Sequence, residues 1–337
     1  MSARRAIALA AFAIGCSETV PPPPPPPVDW ASLNKPVVVD AGPPRATAKE
    51  RLAGTAYAKA FATPGFAGLT SLLAEEAHMT FGGSSTLGRE RVVAMHETLF
   101  GAFDDRSLAL ERIWMTDSSQ ALAWVLSGVQ NRDWMGVPAS HKRFAVKGLS
   151  LLWTKDDGSI SDIHVYLDEA LLRAQLGVGP ADLQKLPPPA IPSGPPQVVE
   201  QADTPQEVAN LGMLRGMIDA LEDNKPAVYL ASVTDDVEIH GLEHAAPARG
   251  KDAVRAYFDT MRRSIGQLDT LAQGGFGAGD WAILEYSISG VQLAPLDTVP
   301  FVRGGVIRVH LVDVAQLHNG KVQKLYRYDD PGEVAAH

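Results

Sequence analysis

The sequence predicts an α+β fold built twice: two tandem copies, each with helices ahead of a run of adjacent, antiparallel strands. Three observations predict it. First, separated segments recur at one offset of 162 residues: Ser127-Gly128-Val129-Gln130 returns as Ser289-Gly290-Val291-Gln292, and Gly88-Arg89-Glu90 returns as Gly250-Lys251-Asp252. The same offset carries Gly158 to Gly320, Tyr166 to Tyr328 and Asp168 to Asp330. Matches in four separated segments on one offset, with Tyr166 and Asp168 in the same segment, indicate a duplicated domain of about 130 residues. Second, each copy shows helical spacing early and strand-like segments late, the pattern of an α+β layer structure. Third, a proline-rich stretch divides the copies, as a linker does.

Ahead of the copies, Arg4 and Arg5 precede a short apolar run over 6–15 that ends at Cys16, the single cysteine. Ten apolar residues fall short of the ~20 needed to cross a bilayer. A charged start, a short apolar core and small residues before the cut describe an export signal. With Cys16 at the cut site, residues 1–17 resemble a bacterial lipoprotein signal peptide, although Ala13 stands at the first lipobox position. That resemblance implies lipidation of Cys16 and a membrane-tethered, exported protein of the bacterial cell envelope. Ser17 follows the cysteine, where aspartate is associated with inner-membrane retention in some bacteria, which points to the outer membrane. Residues 1–15 are thus the expected signal, and 16–45 the lipidated N-terminus and linker. Residues 21–27 are seven consecutive prolines, a polyproline II rod of roughly 20 Å at about 3.1 Å per residue.

The first copy, expected over 46–178, carries Glu75-Glu76 before a short strand, His78-Met79-Thr80-Phe81. Gly88-Arg89-Glu90 then opens a helix with Val92, Met95, Leu99 and Phe103 on one face. Strands over 121–130, 143–154 and 160–167 complete the copy. The linker spans 179–205 and includes Pro187, Pro188, Pro189, Pro192, Pro195 and Pro196. The second copy, expected over 206–334, starts at a capping signal: Thr204 as cap, Pro205 at the first helical position and Glu207 as the capping-box acid. Leu211, Leu214, Ile218 and Leu221 mark the buried face of this helix. Asp235-Asp236 precede the strand Val237-Glu238-Ile239-His240. The next helix presents Val254, Tyr257, Met261 and Ile265. The glycine-rich run 274–279 reads as a hairpin loop, because no helix follows it to cradle a phosphate.

These motifs resemble the SnoaL-like branch of the NTF2-like superfamily. The residues that carry the resemblance are Gly88-Arg89-Glu90, Gly158-Ser159-Ile160-Ser161-Asp162, and Asp168 followed by Leu171-Leu172-Arg173-Ala174-Gln175-Leu176-Gly177. The second copy keeps Gly250-Lys251-Asp252 and Asn319-Gly320-Lys321-Val322 but lacks the closing tail. The resemblance implies two cone folds in tandem, each a curved sheet around a long helix with a mostly apolar pocket. It also implies an acid on the last strand working with a histidine on the strand before.

Asp162 matches that acid. It shares one face of its strand with His164, Tyr166 and Asp168, while Ile163, Val165 and Leu167 share the other. If the polar face lines the cone, Asp162 is a candidate general base and His164 or Tyr166 a proton donor; the alternative is a polar face turned to water. The partner histidine falls near Gly148 in the first copy, which has no side chain. The 162-residue offset puts His310 at that position in the second copy, but Lys324 where the acid belongs, so neither copy holds the pair. His310, Tyr326 and Trp124 are the candidate ligand contacts. His96 aligns with Phe258 and reads as a packed core histidine. His240 and His244, with Glu238 and Glu243, lack a repeated ligand spacing, so no metal is expected, and no cofactor motif occurs.

The chain has 337 residues and a net charge of −9, about −11 without its first fifteen residues, which leaves no electrostatic footprint for nucleic acid. The readings are therefore a non-catalytic envelope lipoprotein binding a small apolar molecule, with its two domains packed sheet against sheet as a pseudo-dimer. The alternatives are a SnoaL-like isomerase or cyclase acting through Asp162, and a scaffold with filled pockets.

Overall fold

The computed structural model describes residues 48–179, 181–241, 247–296, 301–329 and 333–335. Cys16, the proline run 21–27, Glu243, His244 and Asp330 lie outside these residues.

The first copy opens with α1 (Ala48–Ala62), β1 (Leu73–Phe81), β2 (Ser84–Leu87) and α2 (Arg89–Phe100). The long strands β3 (Phe103–Met115), β4 (Ser119–Gln130), β5 (Arg143–Thr154) and β6 (Ile160–Leu167) follow, then α3 (Glu169–Leu176). Their sheet runs β2-β1-β6-β5-β4-β3, and β7 (Gln197–Glu200), from within the proline-rich connection, adds a seventh strand beside β3. Most pairs are antiparallel, as expected, but β1 runs parallel to β6 and β7 parallel to β3. Phe103, expected on the helix, instead begins β3, because α2 ends at Phe100.

The second copy repeats the order: α4 (Pro205–Glu222), α5 (Pro226–Ala231), β8 (Val233–Gly241), β9 (Ala248–Arg249), α6 (Gly250–Ser264), β10 (Ile265–Ala278), β11 (Trp281–Gln292), β12 (Val306–His318), β13 (Lys321–Asp329) and β14 (Glu333–Ala335). Its sheet runs β10-β11-β12-β13-β8-β9, with β14 on β12 and β8 parallel to β13. The cap of α4 forms as the sequence predicts, with Thr204 accepting from the Glu207 amide and Glu207 accepting from the Thr204 amide. The glycine-rich run is a correction: all but its last residue lies within β10. The α4 backbone crosses close over it, and a Cβ at Gly277 would lie 2.3 Å from the Glu207 carbonyl oxygen. Ile265 likewise starts β10 instead of ending α6.

Three apolar clusters hold the described residues together. One fills the first cone, with Tyr57, Val92, Trp124, Ile163 and Val165; another fills the second, with Leu214, Phe258, Tyr286 and Leu325. The third lies between the outer faces of the two sheets and joins Trp114, Leu149, Leu151 and Tyr166 to Trp281, Ile283, Val312 and Tyr328. Within it the Trp114 and Trp281 rings lie 5.2 Å apart, and the Arg112 guanidinium sits 4.4 Å over Trp281. Strands such as β4 and β11 are therefore apolar on both faces, one for a cone and one for the opposing sheet.

Candidate functional site

The first cone is filled by its own side chains. Trp124, a predicted ligand contact, is buried there, and its indole N–H donates to Ser150 Oγ at 3.0 Å. Its ring lies over Gly148, where a Cβ would come within 2.0 Å of it. Trp124 thus occupies the space that a ligand would need. Beside it the Tyr57 hydroxyl donates to His96 Nε2 at 3.0 Å, and His96 Nδ1–H donates to the Val92 carbonyl at 2.8 Å. His96 is fully buried, and burial drops its pKa to about 4 despite the backbone bond that favours its charged form. It is a neutral, packed core histidine.

The second cone is closed by a buried ion pair. Arg327 on β13 grips Asp313 on β12 through two contacts of 2.7 and 2.6 Å. Tyr286 donates to the same carboxylate at 3.0 Å, and the Arg327 guanidinium lies 4.6 Å over the Tyr257 ring. A buried pair needs this many partners to offset the loss of water.

His310 does not reach this interior. On β4 and β5, Trp124 stands opposite Gly148; on β11 and β12, Tyr286 stands opposite Leu311. Leu311, not His310, is therefore the counterpart of Gly148. The connection before β12 is one residue longer than the one before β5, and a one-residue slip turns a side chain to the opposite face. His310 lies on the outer face, where Gln273 Nε2 is 3.1 Å from its Nδ1.

Asp162, His164 and Tyr166 also differ from expectation. Ile163, Val165 and Leu167 point into the first cone, so the polar set occupies the opposite, outer face. The structure does bring the three together, with two residues that the sequence reading did not single out for this role. Parallel pairing of β1 with β6 sets His78 beside Asp162, and His78 Nδ1 donates to Asp162 Oδ1 at 2.9 Å. His164 Nε2 lies 3.4 Å from that same oxygen. On its other side His164 Nδ1–H donates to Glu285 Oε1 of β11 at 2.5 Å, and the Tyr166 hydroxyl donates to it at 2.6 Å. The Trp153 ring packs 4.7 Å from the His164 ring. Burial pushes Asp162 up, but bonds and charge from His164 and His78 outweigh it and hold the carboxyl below its usual range. Burial likewise opposes charge on His164, but Asp162 and Glu285 outweigh it and raise the pKa to about 9. One signal for Glu285 was available: it is a lone acid in the apolar strand Trp281–Gln292 and aligns with Ala123.

Two cavities lie along the same outer faces. One of about 310 Å³ is bordered by Trp153, Phe276, Ile283 and Glu285. The larger, of about 600 Å³, lies beneath the proline-rich connection and is lined by Pro187, Ile191, Tyr326, Tyr328, Lys147 and Asp168, among others. Neither is lined by Asp162 or Tyr166. Tyr326, a predicted contact, stacks on His240 with ring centres 4.6 Å apart. Asp168 caps α3 through Oδ1, which accepts from the Leu171 amide at 2.8 Å, while its buried Oδ2 has no hydrogen-bond partner among the described residues. Burial, outweighing the cap bond, raises this carboxyl to about 7, and the nearby Asp329 charge adds to the rise.

Comparison with known proteins agrees with this architecture. Residues 51–176 match the family model described as SnoaL-like polyketide cyclase, and residues 214–325 match the model described as SnoaL-like domain. A putative SnoaL-like polyketide cyclase from Jannaschia sp. CCS1 is similar in structure at 17% identity and a TM-score of 0.38, over 41% of this chain and 98% of that one. A putative polyketide cyclase from Xanthomonas campestris gives 17% identity and 0.36, over 38% and 97%. An epoxide hydrolase of the LEH-like type from M. tuberculosis gives 14% and 0.31, over 37% and 86%. The comparison with curated proteins gives no match. With both cones accounted for by a family model, the chain belongs to the SnoaL-like family, as two SnoaL-like domains in tandem.

Proposed function

We propose that the protein binds a small, ring-bearing, mostly apolar molecule without transforming it, in the cavity beneath the proline-rich connection. The observation that carries this reading is the lining of that cavity. Tyr326, Tyr328, Ile191 and prolines offer apolar surface, and Asp168 offers a carboxyl oxygen with no partner among the described residues. Its volume of about 600 Å³ falls within the roughly 300–1,000 Å³ of small-molecule sites. The fitting ligand is uncharged and carries one N–H or O–H donor for Asp168. In the first cone Trp124 packs against Gly148, and Asp162 faces away from that cone, so the isomerase or cyclase reading has no cone pocket around its base. Asp162, moreover, is held ionised among imidazoles and not poised in an apolar site. The same proposal includes anchoring of an exported chain to the outer membrane of the envelope through Cys16; the support is the signal-like segment that precedes it. Among the described residues no helix is long and apolar enough to cross a membrane.

The test is a titration of the full chain with N-phenyl-1-naphthylamine, a neutral probe with a naphthyl and a phenyl group and one N–H. Saturable fluorescence enhancement at one site is expected, weakened at least about tenfold, or 1.4 kcal/mol, by Tyr326→Ala and by Ile191→Asp. Enhancement that never saturates, or that both variants leave unchanged, refutes the proposal.

A further inference from the structure

We propose that His78, Asp162 and His164 form a binding site for a first-row divalent transition-metal ion of the Zn²⁺ type. One ligand atom from each residue can be chosen so that all three lie within 4.8 Å of one another. The inference rests on how these atoms converge. His78 Nδ1 and His164 Nε2 lie 2.9 and 3.4 Å from one oxygen, Asp162 Oδ1. Donor atoms bound at about 2.0–2.1 Å around a tetrahedral ion stand ~3.3 Å apart, so small side-chain adjustments suffice to seat an ion between them. Two imidazoles and a carboxylate suit such an ion, and suit Mg²⁺ or Ca²⁺ poorly.

The surroundings have the form of a supporting shell. A histidine that binds a metal through one nitrogen commonly donates its other N–H to a carboxylate, which sets both tautomer and ring direction. His164 does this: Nδ1–H goes to Glu285 Oε1, and Nε2, directed at Asp162, is the nitrogen that an ion would take on displacing its proton. Glu285 is nearly buried and is itself fixed by the Tyr166 hydroxyl, while Trp153 packs on the His164 ring. His78 and Asp162 each keep 34% of their side-chain surface exposed, which gives the ion a way in and leaves room for water to complete its coordination. The site belongs to the first copy alone. The offset that relates the copies puts Lys324 at the position of Asp162 and Tyr326 at that of His164, and an ammonium there would repel a cation. The supporting carboxylate comes from the second copy, so the site is complete only when the two sheets pack.

The experiment is a calorimetric titration of the untagged, chelator-treated full chain with Zn²⁺, repeated with Co²⁺ while recording its visible absorption. One equivalent is expected to bind, with a Co²⁺ spectrum characteristic of fewer than six ligands. His78→Gln, Asp162→Asn and His164→Gln should each weaken binding at least about tenfold, and Glu285→Gln by about 10–100-fold. His141→Gln, at an exposed histidine on the loop before β5, should leave it unchanged. Thermal unfolding of each metal-free variant checks folding, and the partly exposed His78→Gln serves if the more buried variants fail to fold. Absence of saturable binding, or binding that His78→Gln and Asp162→Asn leave intact, would show a hydrogen-bonded cluster only and overturn the proposal.

Discussion

Acidification should destabilise the first domain in part through His96, and His96→Phe should remove that part of the loss. The ring is fully buried, donates to the Val92 carbonyl and accepts from Tyr57, so both nitrogens are committed in the neutral form. Its folded pKa is about 4, against 6.5 when exposed. A group depressed in this way favours the folded state fully above 6.5, because neither state is then protonated. Between 6.5 and 4 the unfolded chain takes up a proton that the folded chain refuses, so stability falls as the pH falls through that window. A gap of that size corresponds to about 3 kcal/mol at 1.36 kcal/mol per unit. Phenylalanine already fills the matching position in the second copy as Phe258. Introduced at 96, it removes the titration but takes the acceptor from Tyr57; loss of one buried hydrogen bond costs about 1–3 kcal/mol at pH 7. The assay is urea unfolding followed by tryptophan fluorescence at several pH values from 7 to 4.5. The variant should start less stable and lose less on acidification, so the two curves converge. Parallel curves, with equal loss in both proteins, would refute a neutral buried His96.

Two further predictions follow from single side chains. Gly148→Ala should destabilise the first domain by about 1–3 kcal/mol, the range for overpacking a core, because its Cβ would meet Trp124 at 2.0 Å; an unchanged urea midpoint would mean that the cone has free space after all. Asp168→Asn should make the protein more stable above pH 7. The folded carboxyl titrates near 7 and the unfolded one near 3.8, so the buried charge costs stability as the pH rises through that window, with an upper figure of about 4 kcal/mol. Asparagine keeps the helix cap and removes the charge; unfolding at pH 5 and pH 8 checks the difference, and equal shifts at both would contradict it.

Much of the architecture was legible because it rests on local signals. The offset between the copies, the Thr204–Glu207 cap and the alternation along 160–167 are properties of neighbouring residues; the structure keeps the cap and the alternation, and keeps the offset at β4 and β11 but not at β12. Ser127 through Gln130 and their repeat do end matching strands, β4 and β11. The family resemblance rested on the same short motifs. Alternation, however, only sorts a strand into two faces; it does not say which face meets the cone. Here the opposing sheet offered Glu285 as partner to His164 and Tyr166, so the polar face turned outward and the aliphatic one inward. Counting failed at His310 because one extra residue before β12 reverses the facing of a whole strand. Composition failed at 274–279, where glycines that suit a loop instead let helix α4 press on strand β10. The pairing of His78 with Asp162 spans 84 residues and depends on β1 lying parallel to β6, a choice made by packing over the whole sheet. The sequence by itself determined that there are two cones and which residues are polar within them. Tertiary structure decided what those residues face, because facing depends on register and on contacts between sheets, and neither is encoded in any single segment.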